Sequence, residues 1–220
     1  MTSTDAPHAR LAAVLLAGGA SRRFGPDNKL LAGIRGMPLV RRVAQHILDA
    51  GIDDVIVVTG AEHDAYVQAL DGLPARFVAN PAWDEGMGGS IAAGVRLVRD
   101  NVDGVFIVPG DLPNLTDALF RRLAHEFEAH GGRKIVVPVT SDGAQRNPVL
   151  WPRSAFAALA GLSGARGGKS LLDTPGAERL DVVFDDATLF ADIDTQADFD
   201  RFTAGGSLTA GTSPISGTST

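Results

Sequence analysis

The chain has 220 residues, a length that favours one large domain and suffices for a self-standing core. Hydrophobic residues at 45% and charged residues at 21% are ordinary for a globular protein, while a net charge of −6 argues against a general nucleic-acid binder, which would carry a basic face. Cysteine is absent, which excludes disulfides and thiolate zinc sites and fits a reducing, cytoplasmic location.

Met1 to Ala9 is polar, with no apolar stretch after a basic start, so no secretory leader is expected. The five histidines (His8, His46, His63, His125, His130) share no metal-binding spacing. No apolar run approaches the ~20 residues of a membrane span, so no membrane partner is expected. Strands are predicted at Leu11–Ala17, Asp54–Thr59, Arg76–Ala79, Gly104–Val108 and Lys134–Val139. Their apolar runs lack alternation, as in parallel strands covered on both faces. Helices are predicted at Pro38–Ala50, stopping at Gly51, and at Thr116–His130, with Thr116 as N-cap and Leu119, Phe120, Leu123 and Phe127 in one stripe. The final stretch, TAGGSLTAGTSPISGTST, is too poor in apolar surface to offset its ordering entropy. The expected organisation is one domain over 10–202 between disordered tails, 1–9 and 203–220. Alternating strands and helices predict an α/β layered fold with helices on both sides of a mainly parallel sheet. Ligands in such folds collect at the carboxyl ends of the strands.

The loop after the first strand, LAGGASRRFGPDNKLL, joins Gly18 and Gly19 to the cations Arg22, Arg23 and Lys29. Close-approaching backbone with successive N–H groups and positive charge suits a polyphosphate better than a solvated turn. Its spacing, GG-x5-G, is not the GxGxxG of a dinucleotide fold. SGARGGKS (163–170) imitates a phosphate loop, but its first glycine is replaced by Ser163 and a helical segment precedes it, so that reading is rejected.

PGDLPNLT places Asp111 directly after an apolar strand, where a carboxylate suits a Mg²⁺ ion better than a turn. FADIDTQADF supplies Asp192 and Asp194; Asp194 is the expected second metal ligand, and Asp192 is read as a cap for the helix beginning near Thr195. In NPAWDEGMGGSIAAGV, Gly86, Gly88, Gly89 and Ser90 open a helix whose N–H groups face a ligand. Asn80, able to donate and accept, suits a nucleobase edge. Ala92 stands where a GxSxG elbow needs glycine, so no acyl-transfer nucleophile is expected.

Five blocks, LAGGASRRFG…K, NPAWDEGMGGSIAAGV, VPGDLP, DIDTQADF and the region Asp142–Leu172, resemble the molybdenum-cofactor nucleotidyltransferases. The resemblance implies the three-layer, Rossmann-like GT-A-type fold with a mainly parallel mixed sheet. It implies Mg²⁺-dependent transfer of a nucleoside monophosphate to a phosphate acceptor with release of pyrophosphate. Block 142–172 and the segment NPAWDEGMGGSIAAGV are similar to the cytidylyl branch, which makes CTP the expected donor and molybdopterin-type molybdenum cofactor the acceptor. Leu16-Ala17-Gly18-Gly19 is instead the form commoner in the guanylyl branch, and Gln145 stands where the family's arginine is usual. The resemblance makes Arg23, Lys29 and Asp111 catalytic. Leu16, Ala17, Gly18, Gly19, Lys29, Asn80, Gly89 and Ser90 would bind the nucleotide, and Asp111 and Asp194 the metal. A client molybdoenzyme or its maturation factor is a possible partner. A guanylyltransferase, a transferase acting on a sugar phosphate or other small phosphate, and a non-catalytic cofactor-binding helper remain the alternatives.

Overall fold

The structure, a computed structural model, describes residues 9–19, 24, 28–174 and 176–205. In chain order these form β1 (Leu11–Ala17), a short ribbon of β2 (Gly33–Ile34) and β3 (Met37–Pro38), α1 (Leu39–Asp49), β4 (Asp54–Thr59), α2 (His63–Ala69), β5 (Ala75–Ala79), α3 (Met87–Val95), β6 (Gly104–Pro109) and α4 (Asp117–Ala129). There follow β7 (Ile135–Thr140), β8 (Val149–Pro152), α5 (Phe156–Ala160), α6 (Lys169–Leu172), β9 (Arg179–Phe184) and α7 (Gln196–Thr203). The five predicted strands are present within one residue at either end. The expected tails lie mostly outside the described residues, and α7 continues to Thr203, where the second was expected to begin.

Seven strands form one sheet in the order β5-β4-β1-β6-β8-β7-β9. β1 pairs in parallel with β4 on one side and β6 on the other, and β4 with β5. β7 and β9 are also parallel, whereas β8 runs against both β6 and β7. The sheet is therefore mixed and mainly parallel. The chain lays β1, β4 and β5 outward in one direction and then returns to place β6 on the far side of β1. That reversal opens a crevice at the carboxyl ends of β1 and β6, where α/β sheets place their ligands.

Alternate residues of β1 divide the interior into two cores. Ala13, Leu15 and Ala17 join the larger one, closed by the buried stripes of α1 and α4. Ala12 and Val14 join the other, with Ile91 and Val95 of α3, Leu159 of α5 and Trp151 of β8. A methyl group on Gly94 would sit 2.3 Å from Val14 Cγ1, so α3 packs on the sheet as closely as backbone allows.

The expected helix ends are present. Thr116 Oγ1 accepts from Leu119 N at 3.3 Å, and Gly51, at φ +86°, follows α1. The cap of α7 is a correction to the sequence reading. Thr195 and Asp198 form a reciprocal capping box there, so Asp192 is free of the capping duty assigned to it.

Candidate active site

A cavity of about 440 Å³ occupies the crevice. Its acidic wall begins at β6. Gly110 N donates to Leu16 O at 3.1 Å, which staples the ends of β1 and β6 and fixes the next residue, Asp111. Ile193 N in turn donates to Asp111 O at 3.1 Å, drawing in the segment before α7. Ile193 is fully buried, and the aspartates on either side of it, Asp192 and Asp194, join Asp111. One oxygen from each of the three lies within 4.8 Å of the others. Lys29 enters from the turn after the phosphate loop, with Nζ 2.8 Å from Asp111 Oδ2 and 3.3 Å from Asp194 Oδ1.

The electrostatics follow from that crowding. Burial works against the Lys29 ammonium, but Asp111 and Asp194 together outweigh it and hold its pKa above the ordinary lysine value. Asp192 is shifted upward, by burial first and then by the neighbouring charges of Asp111 and Asp194. Three carboxylates with one ammonium leave a surplus of negative charge. This is a set of hard oxygen donors that fits a divalent cation which keeps part of its water shell.

The opposite wall is largely backbone. Gly18 and Gly19 continue β1, and Gly86, Met87 and Ser90 open α3. Gly86 is the N-cap, at φ +134°, a conformation closed to L side chains. Trp83 also lines the cavity; a Cβ on Gly60 would lie 2.8 Å from Trp83 Cγ, so the indole rests directly on that glycine.

The structure brings Leu16, Gly18, Gly19, Lys29, Ser90, Asp111 and Asp194 to one cavity. Ala17 is in the larger core, with its side chain turned away. Asn80 stands one layer behind: its Nδ2 donates to Ser90 Oγ at 3.0 Å and its Oδ1 accepts from Ala82 N at 3.1 Å. Those bonds use one hydrogen of Nδ2 and one lone pair of Oδ1, and the first of them orients Ser90. Gly89 lies against the Asn80 amide, where a Cβ would come within 3.4 Å of Nδ2. The N–H groups at the start of α3 do not all face the cavity, because Gly88 N donates to Gly164 O at 2.9 Å. Arg22 and Arg23 lie outside the described residues. Residue-level reading missed Trp83 and Met87 as lining residues. It also missed Asp192 as a member of the carboxylate cluster, although its spacing of two from Asp194 across an apolar residue was a usable signal.

The description of one family model, the MobA-like NTP transferase domain, matches residues 13–181. The chain belongs to that family. A molybdenum cofactor guanylyltransferase of Cupriavidus metallidurans is 31% identical over 189 residues, covering 83% of this chain and 89% of that protein. A nicotine blue oxidoreductase of Paenarthrobacter nicotinovorans is 39% identical over 94 residues, 43% of this chain and 45% of the relative, so there the alignment spans about half of each. Among solved structures, Rv0371c from Mycobacterium tuberculosis superposes with a TM-score of 0.75 at 25% identity, covering 89% of this chain and 99% of that one. A complex of the same protein with manganese gives 0.71. The α/β nucleotidyltransferase fold with a mainly parallel mixed sheet, expected from the sequence blocks, is thereby established. No helix among the described residues is long and apolar enough to cross a membrane.

Proposed function

We propose that the protein transfers a nucleoside monophosphate from an NTP to the phosphate of a molybdopterin-type molybdenum cofactor, with GTP as donor. The observation that carries the reaction class is the Lys29–Asp111–Asp194 cluster at the crevice between β1 and β6, opposite a glycine-lined wall. Such a cavity offers positioning and charge compensation and, among the described residues, no activated nucleophile, which suits phosphoryl transfer. The choice of GTP, in place of the CTP expected from block 142–172, follows the guanylyltransferase name of the relative aligned along most of this chain. Leu16-Ala17-Gly18-Gly19 agrees with it. The cytidylyl reading rests on the resemblance of Asp142–Leu172 and of NPAWDEGMGGSIAAGV to that branch.

In the reaction an acceptor phosphate oxygen forms a bond to the α-phosphorus in line as the bond from that phosphorus to the β-phosphate's bridging oxygen breaks, and pyrophosphate leaves. The attacking oxygen is already ionised near neutral pH, so no side chain need remove a proton. Lys29 places its ammonium against the charge developing on the leaving group. Gly18 and Gly19 let backbone approach the phosphates, and Asn80 holds Ser90 towards them. Arg23, outside the described residues, keeps its proposed role on the α-phosphate. Asp111 and Asp194, with Asp192 beside them, would hold Mg²⁺, which supplies further charge neutralisation to the phosphates when bound.

Pyrophosphate release from each of the four NTPs, with molybdenum cofactor as acceptor, tests the reading. The highest kcat/KM is expected with GTP. A higher value with CTP would restore the cytidylyl reading, and no release with any NTP would overturn nucleotidyl transfer altogether.

A further inference from the structure

Segment Ser163–Lys169, rejected above as an NTP phosphate loop, has a defined seat. Gly88 N donates to Gly164 O at 2.9 Å. A Cβ on Gly86 would lie 2.4 Å from Gly164 O, and one on Gly88 would lie 2.4 Å from Arg166 O. Backbone therefore meets backbone with no room for a methyl group between. Further along, Gly168 sits against the Trp151 ring, where a Cβ would come within 3.0 Å, and Gly167 abuts Met87 Sδ. The loop is thus fixed to the very residues that form one wall of the cavity, and Met87 belongs to both.

The second observation is charge. Arg166 and Lys169 are exposed, and among the described residues neither has an ion pair or a side-chain hydrogen bond. Lys29 is the one described cation lining the cavity, and it is engaged with Asp111 and Asp194. A dianionic acceptor entering beside three carboxylates needs positive charge from elsewhere. The loop carries two cations on backbone that touches the cavity wall.

We propose that Ser163–Lys169 is the acceptor clamp, in which Arg166 and Lys169 bind the phosphate of the incoming acceptor at the rim beyond Met87. This rests on the nucleotidyl-transfer reading for the identity of the acceptor. The guanidinium fork matches two phosphate oxygens, and the ammonium adds a point charge. Both side chains are exposed, so replacing them leaves the packed glycine contacts in place.

The test is Arg166→Gln combined with Lys169→Gln, assayed for pyrophosphate release with varied molybdenum cofactor and with varied NTP. The KM for the acceptor should rise about 10-fold or more, the worth of a lost charged contact, while the KM for the nucleotide stays within about 2-fold. Arg166→Lys with Lys169 retained should keep most of the acceptor affinity. An unchanged acceptor KM, or an equal rise in both constants, overturns the clamp while leaving nucleotidyl transfer standing. If the parent protein releases no pyrophosphate, nucleotidyl transfer fails instead. The clamp is then judged by titrating molybdenum cofactor without nucleotide, following emission of Trp83 and Trp151. Binding by the parent that the double variant loses supports it; equal binding, or none by the parent, sinks it.

Discussion

The two walls of the cavity are built on opposite plans. The acidic wall places charge on side chains held at strand ends: Asp111 just past β6, Lys29 from the turn before β2, and Asp192 and Asp194 tied in through Ile193. The facing wall places almost nothing on side chains and relies on glycine backbone, with Trp83 and Met87 as its apolar exceptions. The difference separates two kinds of cost. A change on the acidic wall removes charge from the reacting centre while disturbing little of the core, because these side chains are only partly buried. A change at Gly86 or in the helix behind that wall introduces volume where neighbouring atoms already touch, and its first effect falls on packing.

The largest expected effect tests the first half of that contrast. Asp111→Asn keeps the shape of the side chain and removes its charge. Turnover measured by pyrophosphate release should fall at least about 100-fold, with the melting temperature within a few degrees of the parent. Parent-like turnover at limiting Mg²⁺ would remove Asp111 from the centre and leave Asp192 and Asp194 to be tested. Lys29→Ala should come next. If its ammonium acts on the leaving group, kcat should drop about 100-fold while the KM for the nucleotide changes far less. A variant that raises KM and spares kcat would make Lys29 a binding residue only.

Much of this arrangement is legible from residue order, and what is not has a physical reason. Unbroken apolar runs mark β1, β4, β6 and β7 because strands covered on both faces need no alternation. β8 and β9 escape the same test: β8 is four residues long, and β9 interrupts its apolar residues with exposed Asp181. Lys29, Asp111 and Asp194 can be picked out singly from glycine, proline and strand context. Their meeting depends on the return of the chain across β1, which pairing sets and local pattern does not. Asn80 shows the converse. Its amide can be picked out as a donor and acceptor, but its bonds to Ser90 and Ala82 join residues that local pattern does not bring together, and only the folded neighbours reveal them. Asp192 was assigned to a cap that Thr195 and Asp198 complete between themselves.

The glycine side is tested by Gly94→Ala, on the helix that carries that wall. The new methyl would fall 2.3 Å from Val14 Cγ1 and 2.8 Å from Val58 Cγ2, both on strands with little freedom to move. Overpacking of this kind costs about 1–3 kcal/mol, against about 1 kcal/mol returned by the better helix former. Urea denaturation should show a net loss of stability, while kcat per folded molecule stays near the parent value. A more stable variant with reduced kcat would erase the distinction between the walls.

An effect confined to alkaline pH lies behind the acidic wall, where Tyr66 supports the turn that presents Lys29. Asn28 Nδ2 donates to Tyr66 Oη at 2.8 Å, and Asn28 Oδ1 accepts from Leu30 N at 3.0 Å, so the phenol braces the residues on both sides of the lysine. Tyr66 is almost wholly buried, and that burial pushes its pKa up to about 12 despite the bond to Asn28. Below the ordinary tyrosine value near 10, the phenol is neutral in both folded and unfolded chains and adds no pH dependence. Above it the unfolded chain ionises first, so this contribution to stability declines as pH rises from about 10 towards 12. Over that window the parent should lose about 2–3 kcal/mol more than Tyr66→Phe, read as the difference between their urea midpoints at two alkaline pH values. Near pH 7 the order is reversed: the variant lacks the phenol's hydrogen bonds and should be about 1 kcal/mol less stable than the parent. Parallel pH profiles for the two proteins would mean that the phenol reaches water, and that the turn bearing Lys29 is held by other contacts.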